Sequence, residues 1–267
     1  KKAVFLEVAE VCVILSSSSS ITMKKLLLVF LLFTSFSQAQ LLYQITGNSL
    51  TEASFLYGTI HMLPKEQFEL SNSLKRAFDA SATIAMEVDL NMSGAEKIAI
   101  AQKVLLPEGK TLKDFMAEQD YLQLKMYCMD SLQWNEAKFE RSSKLKPMFF
   151  SSVLMQESMR NMASYEMEFN KMAKKKNKKT MGLETIDFQL GLFDQLPMQT
   201  QVDMLKKDYN SDLKSFDTLL ACYLQEDLEK LNILMNSETA AYPEFNELLL
   251  INRNKSWIAP MGTQMRK

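Results

Sequence analysis

The sequence predicts an α/β fold, with α+β as the alternative: a small central sheet with flanking helices and a large inserted helical subdomain. Three observations predict it. Short strand-like runs occur at 41–46, 55–60, 83–90 and 180–184, a helical pattern separates the second run from the third, and residues 95–172 are almost wholly helical in pattern. Strands that alternate with helices on either side of a helical block are typical of a sheet domain that carries an insertion.

The amino-terminal elements follow from local signals. The first two strand-like runs are separated by Gly47-Asn48-Ser49, which predicts a β-hairpin. After Pro64, apolar residues near helical spacing over 68–78 predict a crossover helix before the strand at 83–90. Residues 41–90 are therefore predicted to form two strands, a helix and a third strand, in that order.

The central and carboxyl-terminal elements are mainly helical. The helical insertion is expected to span about 95–176, with a break at Pro147. A short strand at 180–184 then precedes a helix predicted over 187–193, and further helices follow to the end of the chain. No internal repeat interrupts this order, so we expect one domain over residues 40–267.

The amino terminus predicts export. Residues 1–22 lack an initiator methionine and contain a run of serines, which indicates upstream translated sequence. Residues 23–39 resemble a bacterial signal peptide, with a basic start at Met23-Lys24-Lys25, an apolar core too short to span a bilayer, and a small-residue cleavage site before Gln40. The expected location is periplasmic or extracellular, with no stable membrane anchor after cleavage.

Composition narrows the expected partners. The formal net charge is -1 and the sequence pI is about 6.1, which favours neither nucleic acid nor an anionic membrane as a partner. The basic run at 174–179 is typical of a solvated loop. Only Cys128 and Cys222 remain after signal removal, so one disulfide is permitted but not established, and the absence of any Cys-x-x-Cys motif excludes common thiolate zinc and redox motifs.

The only histidine of the chain, His61, is the first candidate for chemistry. It follows the strand-like run at 55–60, and Glu87 lies near the end of the run at 83–90. Imidazole and carboxylate are suitable ligands for a transition metal, so His61 and Glu87 are candidate metal ligands that should line one crevice above the sheet. The alternative for His61 is a hydrogen-bonded structural residue.

Further polar residues admit two interpretations each. Glu184, just beyond a short strand, is a candidate ligand or general base, or else a carboxylate that stabilises a helix amino terminus. Arg253 is a candidate clamp for a substrate carboxylate or carbonyl, or else the ion-pair partner of Glu87 or Glu184. Trp257 is expected in the core, and Asp89 as a second carboxylate or a loop-facing cap.

Four ordered segments carry a family resemblance: Tyr57-Gly58-Thr59-Ile60-His61, Met86-Glu87-Val88-Asp89, Gly182-Leu183-Glu184-Thr185 and Asn252-Arg253-Asn254-Lys255-Ser256-Trp257. Each is weak alone, but their order and spacing cover nearly all of the mature chain. The chain resembles the TraB/GumN family, related to the TIKI proteases and the wider erythromycin esterase/ChaN-like group.

The resemblance implies a metal-dependent hydrolase, in which two Gly-x-x-His motifs and an acidic residue hold a divalent ion, with Mn, Co and Zn as candidates. Glu87, Glu184 and Arg253 are the candidate catalytic residues, and the substrate is an unknown peptide or small molecule. The second Gly-x-x-His motif does not occur before Lys267, so we expect a reading frame cut short at its 3′ end and an inactive chain. The alternative is a non-catalytic binding or regulatory protein on the same fold.

Overall fold

The computed structural model describes residues 3–8, 41–47, 50–158, 161–210 and 214–266. Its strands are β1 (Ala3–Val8), β2 (Leu42–Ile45), β3 (Ser54–Gly58), β4 (Leu63–Pro64), β5 (Ser81–Val88), β6 (Met162–Ala163) and β7 (Lys179–Glu184). The helices are α1 (Asn72–Ala80), α2 (Gly94–Lys103), α3 (Glu118–Met126), α4 (Glu136–Ser142), α5 (Pro147–Ser158), α6 (Tyr165–Lys175), α7 (Ile186–Phe193), α8 (Met198–Asn210), α9 (Lys214–Leu224), α10 (Leu228–Thr239), α11 (Pro243–Asn246) and α12 (Asn252–Met265). The α/β prediction is confirmed.

The main sheet has five strands in the order β2-β3-β1-β5-β7. β2 is antiparallel to β3, as the predicted hairpin requires, although turn residues 48 and 49 lie outside the described residues. β3, β1, β5 and β7 run parallel to one another, so their carboxyl ends share one edge. The predicted crossover helix is α1, which begins at Asn72 because the Ser71 side chain caps it by accepting from the Leu74 N–H.

β1 lies inside the segment that the sequence analysis assigns to upstream translated sequence. It pairs with β3 on one side and with β5 on the other. The assignment of residues 1–22 to upstream translated sequence stays a prediction. The predicted signal peptide at 23–39 lies outside the described residues. No helix within the described ranges is long and apolar enough to cross a membrane.

Two large apolar clusters stabilise the molecule. The sheet cluster includes Phe78 and Phe169, whose rings stack with centroids 5.7 Å apart. The helical cluster includes Phe139 and Phe150, and it takes Leu205 from α8. Among the described residues, α6 packs into the sheet cluster, whereas α8 joins the helical one, and the bounds of about 95–176 for the insertion stay a prediction. Periodicity along one helix cannot reveal which neighbour receives its apolar face.

Candidate functional site

The site lies at the carboxyl edge of the parallel strands. Glu87 is the penultimate residue of β5, Glu184 is the last residue of β7, and His61 follows β3 by three residues. β5 and β7 approach closely here, because a Cβ on Gly182 would lie 2.6 Å from the Glu184 carbonyl oxygen and 2.8 Å from the Asp89 nitrogen. Glycine at position 182 is therefore a packing requirement of this strand pair.

Arg253, from the first turn of α12, binds both glutamates. Its Nη2 donates to Glu87 Oε2, and its Nε donates to Glu184 Oε1 at 2.7 Å. The three side chains are only 10%, 6% and 5% exposed, respectively, so this is a buried ion-pair network. Of the two interpretations of Arg253, pairing with the glutamates is the one that the geometry bears out, and it involves both of them.

Two further side chains hold the glutamates in place. Gln189 Nε2 donates to Glu184 Oε1 at 2.6 Å and to Glu87 Oε2 at 3.3 Å. Trp257 Nε1 donates to Glu184 Oε2 at 3.0 Å, and the Arg253 guanidinium carbon lies 4.9 Å from the Trp257 ring centroid. Gln189 adds a second donor to each of the two oxygens that Arg253 contacts, and Trp257 satisfies the other oxygen of Glu184.

His61 lies at the rim of the site. Its side chain is 61% exposed, and its Nδ1 is 3.0 Å from Glu166 Oε1, near the start of α6. Glu166 Oε2 accepts from the Ser164 hydroxyl at 2.5 Å. The imidazole is therefore oriented by a partner that the sequence analysis did not identify.

A cavity of about 190 Å³ joins these residues. His61, Glu87, Gln189 and Arg253 form its polar side, and its apolar wall consists of Leu192, Phe193, Phe245, Leu249 and Leu250. The prediction that His61 and Glu87 line one crevice is confirmed. A concave site with an apolar wall and a few convergent polar groups is typical of ligand pockets.

Sequence comparison decides the family. The sequence model of the TraB/PrgY/gumN family matches residues 41–267. The chain belongs to the TraB/PrgY/gumN family. Comparison with curated proteins and with solved structures gave no match.

The TraB/PrgY/gumN match begins next to β2 and includes every residue of the site, whereas β1 lies outside it. Asp89, within the match, accepts from the Asn91 backbone and side-chain nitrogens and from the Thr180 hydroxyl. This is the loop-facing cap of the two expected alternatives. Trp257 is buried, as expected, but it also contributes a hydrogen bond to the site.

The described side chains of the site do not form a set of metal ligands. Within the described ranges, no three His, Cys, Asp or Glu side chains come together as a group that could hold a metal ion. Glu87 and Glu184 both contact the positive charge of Arg253, so neither carboxylate is available to a second cation. The described residues therefore do not fit a divalent ion in this arrangement, and binding one through Glu87 would require Arg253 to move away.

Sequence reasoning missed Glu166, Gln189 and the apolar wall. For Gln189 a signal existed, because it lies one helical turn beyond Thr185, the residue that caps α7 directly after Glu184. For Glu166 there was none, since it is separated from His61 by 105 positions in the chain. The wall residues of α7 and of 245–250 read only as ordinary core positions of helices.

Proposed function

We propose that this TraB/PrgY/gumN domain is a ligand-binding protein whose crevice receives one apolar side chain of a peptide, and that it is not catalytic in the described arrangement. The observation that carries the proposal is the double ion pair of Arg253. A general base or a metal ligand needs an available carboxylate, and both glutamates of this site are already bound by the one guanidinium of Arg253. Removing one partner from such a buried network costs about 3–5 kcal/mol.

The cavity indicates the ligand class. Its apolar wall favours an aliphatic or aromatic group, and its volume of about 190 Å³ suits a group of the size of one side chain. The polar side, with one guanidinium, one amide, one carboxylate and one imidazole, offers both donors and acceptors to a peptide backbone. We therefore propose an apolar residue with its flanking amides as the recognised unit.

The test is saturation-transfer NMR with three probes: the N-acetyl amides of leucine, phenylalanine and serine. We expect transfer to the leucine and phenylalanine probes and none to serine. Leu250→Asp, which places a charge on the apolar wall, should abolish the transfer, whereas Ile233→Asp, on an exposed position of α10, should leave it unchanged. Equal transfer to all three probes, or retained transfer with Leu250→Asp, would overturn the proposal.

A second candidate function is a metal-dependent hydrolase, with a peptidase as one form of it. The shared cavity of His61 and Glu87 favours it. A hydrolase of this kind would bind Mn, Co or Zn and lose that affinity in both His61→Ala and Glu87→Gln. Calorimetric titration of the three ions, beside an assay of peptide hydrolysis, distinguishes the candidates. Extending the chain past residue 267 tests the prediction that a second histidine completes the site: unchanged affinity and activity would contradict it.

We further propose that the protein is exported. The basic start, short apolar core and small-residue cleavage site at 23–39 support it, and a cut before Gln40 would leave the family match at 41–267 intact. Amino-terminal sequencing of the protein recovered from a bacterial periplasm and culture medium tests this. A chain recovered only from the cytoplasm with residues 1–39 still attached would contradict it.

A further inference from the structure

A second cavity, of about 480 Å³, lies apart from the candidate site and shares no lining residue with it. Its walls come from β2 and β3, from the segment before and at the start of α1, and from α6 and the end of α9. Its volume falls in the range of about 300–1,000 Å³ that is usual for small-molecule sites. We call it the tyrosine cavity, after Tyr57, Tyr165 and Tyr223.

The three tyrosines form an ordered aromatic wall. The rings of Tyr57 and Tyr165 meet at 70° with centroids 5.5 Å apart, and those of Tyr165 and Tyr223 meet at 58° and 6.3 Å. The Tyr223 hydroxyl donates to the Gly58 carbonyl oxygen at 3.2 Å, and the Tyr165 hydroxyl donates to the Glu69 carbonyl oxygen at 3.3 Å. The rings are thus held in fixed positions within the sheet cluster, and each contributes a small exposed part to the lining of the cavity.

The charge of the tyrosine cavity is negative. Glu69 and Glu226 line it, and none of its described lining residues is Lys, Arg or His. Burial raises the pKa of Tyr57 and of Tyr223 far above the usual value, so both phenols stay neutral. The carboxylates therefore set the sign of the potential, while Leu41, Leu42 and Leu224 supply apolar surface.

Glu226 is placed by its backbone for this position. Its φ is +56°, in the left-handed region, two residues after the end of α9 and two before the start of α10. Its Oε2 already accepts from a nitrogen, the Leu41 N–H, at 3.4 Å. This conformation is the usual left-handed cap of a helix: the Glu226 N–H donates to the Tyr223 carbonyl oxygen at 2.9 Å and the Asp227 N–H to that of Cys222 at 3.0 Å. The end of α9 thus fixes the backbone of Glu226 beside the cavity that its side chain lines.

We propose that the tyrosine cavity binds a small organic ammonium ligand. Aromatic rings attract a cation through their quadrupole, carboxylates supply the countercharge, and apolar walls accept the alkyl groups of the ligand. A neutral ligand of the same shape would forgo the first two of these attractions. An anion would be repelled by Glu69 and Glu226.

The test uses the 267-residue chain with choline and its neutral isostere, 3,3-dimethyl-1-butanol, in ligand-observed NMR titrations. We expect choline to bind about 10-fold more tightly, which corresponds to about 1.4 kcal/mol and lies within the strength of cation–π contacts. Choline binding should also weaken as the salt concentration rises. Equal affinity for the two probes, or no binding of choline, would overturn the proposal without the use of any variant.

Matched variants locate the site. Glu226→Gln keeps the shape of the side chain and removes its charge, so it should weaken choline binding about 5-fold or more and leave binding of the alcohol unchanged. Glu118→Gln, on an exposed position of α3, is the control and should have no effect. Equal choline affinity in Glu226→Gln and the parent chain would contradict the assignment. Leu250→Asp, in the other cavity, should leave choline binding intact.

Discussion

Arg253 is an arginine because one planar guanidinium must serve two carboxylates at once. Its Nε and Nη2 atoms point to different glutamates, whereas a lysine ammonium is a point charge on a flexible stem. The buried pairs are also supported by Gln189 and Trp257. At the scale of single residues, loss of this network should lower the free energy of unfolding strongly.

Substitution at Arg253 should therefore be costly. Arg253→Met leaves two carboxylates buried without a cation, and we expect the free energy of unfolding to fall by about 3–5 kcal/mol. Arg253→Lys should recover only part of the loss. The control is Lys103→Met, which breaks an exposed pair with Asp187 and should cost less than about 1 kcal/mol. Urea unfolding measures all three, and equal losses for Arg253→Met and Lys103→Met would contradict the prediction.

The buried thiol of Cys128 should make the folding stability depend on pH. Burial raises the pKa of its thiol to about 12. In the unfolded chain the thiol ionises near pH 8.5, so above that pH the unfolded state binds fewer protons than the folded state. Stability should therefore be full below the unfolded pKa and should decline as the pH rises towards 12.

The measurement is thermal unfolding from pH 7 to 11, in which Cys128→Ala should show a shallower decline than the parent chain. An identical slope would argue against the buried thiol as a source of the effect. Because Cys128 and Cys222 are both free and lie in different apolar clusters, a reductant should not change the melting temperature at pH 7.

At the scale of elements, the pairing of β5 with β7 places Glu87 near Glu184. Gly182 permits it, because a side chain there would meet the backbone of Asp89 and Glu184. Backbone atoms cannot move aside as the end of a flexible side chain can. The strand pair and the ion-pair network should therefore respond together to a change at this glycine.

Two glycine substitutions form a matched pair. Gly182→Ala should destabilise the protein by about 1–3 kcal/mol, since it overpacks the strand junction. Gly191→Ala, in α7, has open space around the added Cβ and should be neutral or stabilising by up to about 1 kcal/mol. Denaturant unfolding compares them. A smaller effect of Gly182→Ala than of Gly191→Ala would show that the junction is not tight.

The contribution of β1 to the stability of the sheet can be tested directly. It pairs with β3 and β5 at once, so its removal would leave unpaired backbone groups on both of them. We expect residues 41–267 alone to be less stable and more prone to aggregate than residues 1–267. Light scattering and thermal unfolding of the two chains measure this. A shorter chain that is equally stable would show that β1 is dispensable, and a shorter chain that does not fold would contradict the proposed cleavage before Gln40.

At the scale of the whole molecule, the two largest apolar clusters of the described residues are separate, and a smaller one with Leu192 and Leu249 supplies part of the wall of the candidate cavity. The sheet cluster supports the site, because β5 and α6 contribute to it, whereas the helical cluster is built from 106–154 together with α8. A substitution that loosens the packing of one cluster should therefore increase local unfolding mainly within that cluster. The residues of the helical cluster do not line the candidate cavity.

Phe139→Ala and Phe78→Ala test this division. Each removes a fully buried ring and should cost about 3–5 kcal/mol. Phe139→Ala should raise amide hydrogen exchange in α3, α4 and α5 while the sheet stays protected, and Phe78→Ala should do the reverse. Uniform loss of protection with either variant would show instead that the two clusters unfold as one unit.

The sequence by itself determined the order of β2, β3, α1, β5 and β7, the positions of His61, Glu87 and Glu184 at or just beyond strand ends, and the family. These depend on local periodicity and on ordered motifs, which are properties of neighbouring residues. Only the tertiary structure decided that one arginine binds both glutamates, that Glu166 contacts His61, and that β1 lies between β3 and β5. The reason is that strand pairing and ion pairing join residues far apart in the chain, and local patterns carry no record of which distant partner packs against them.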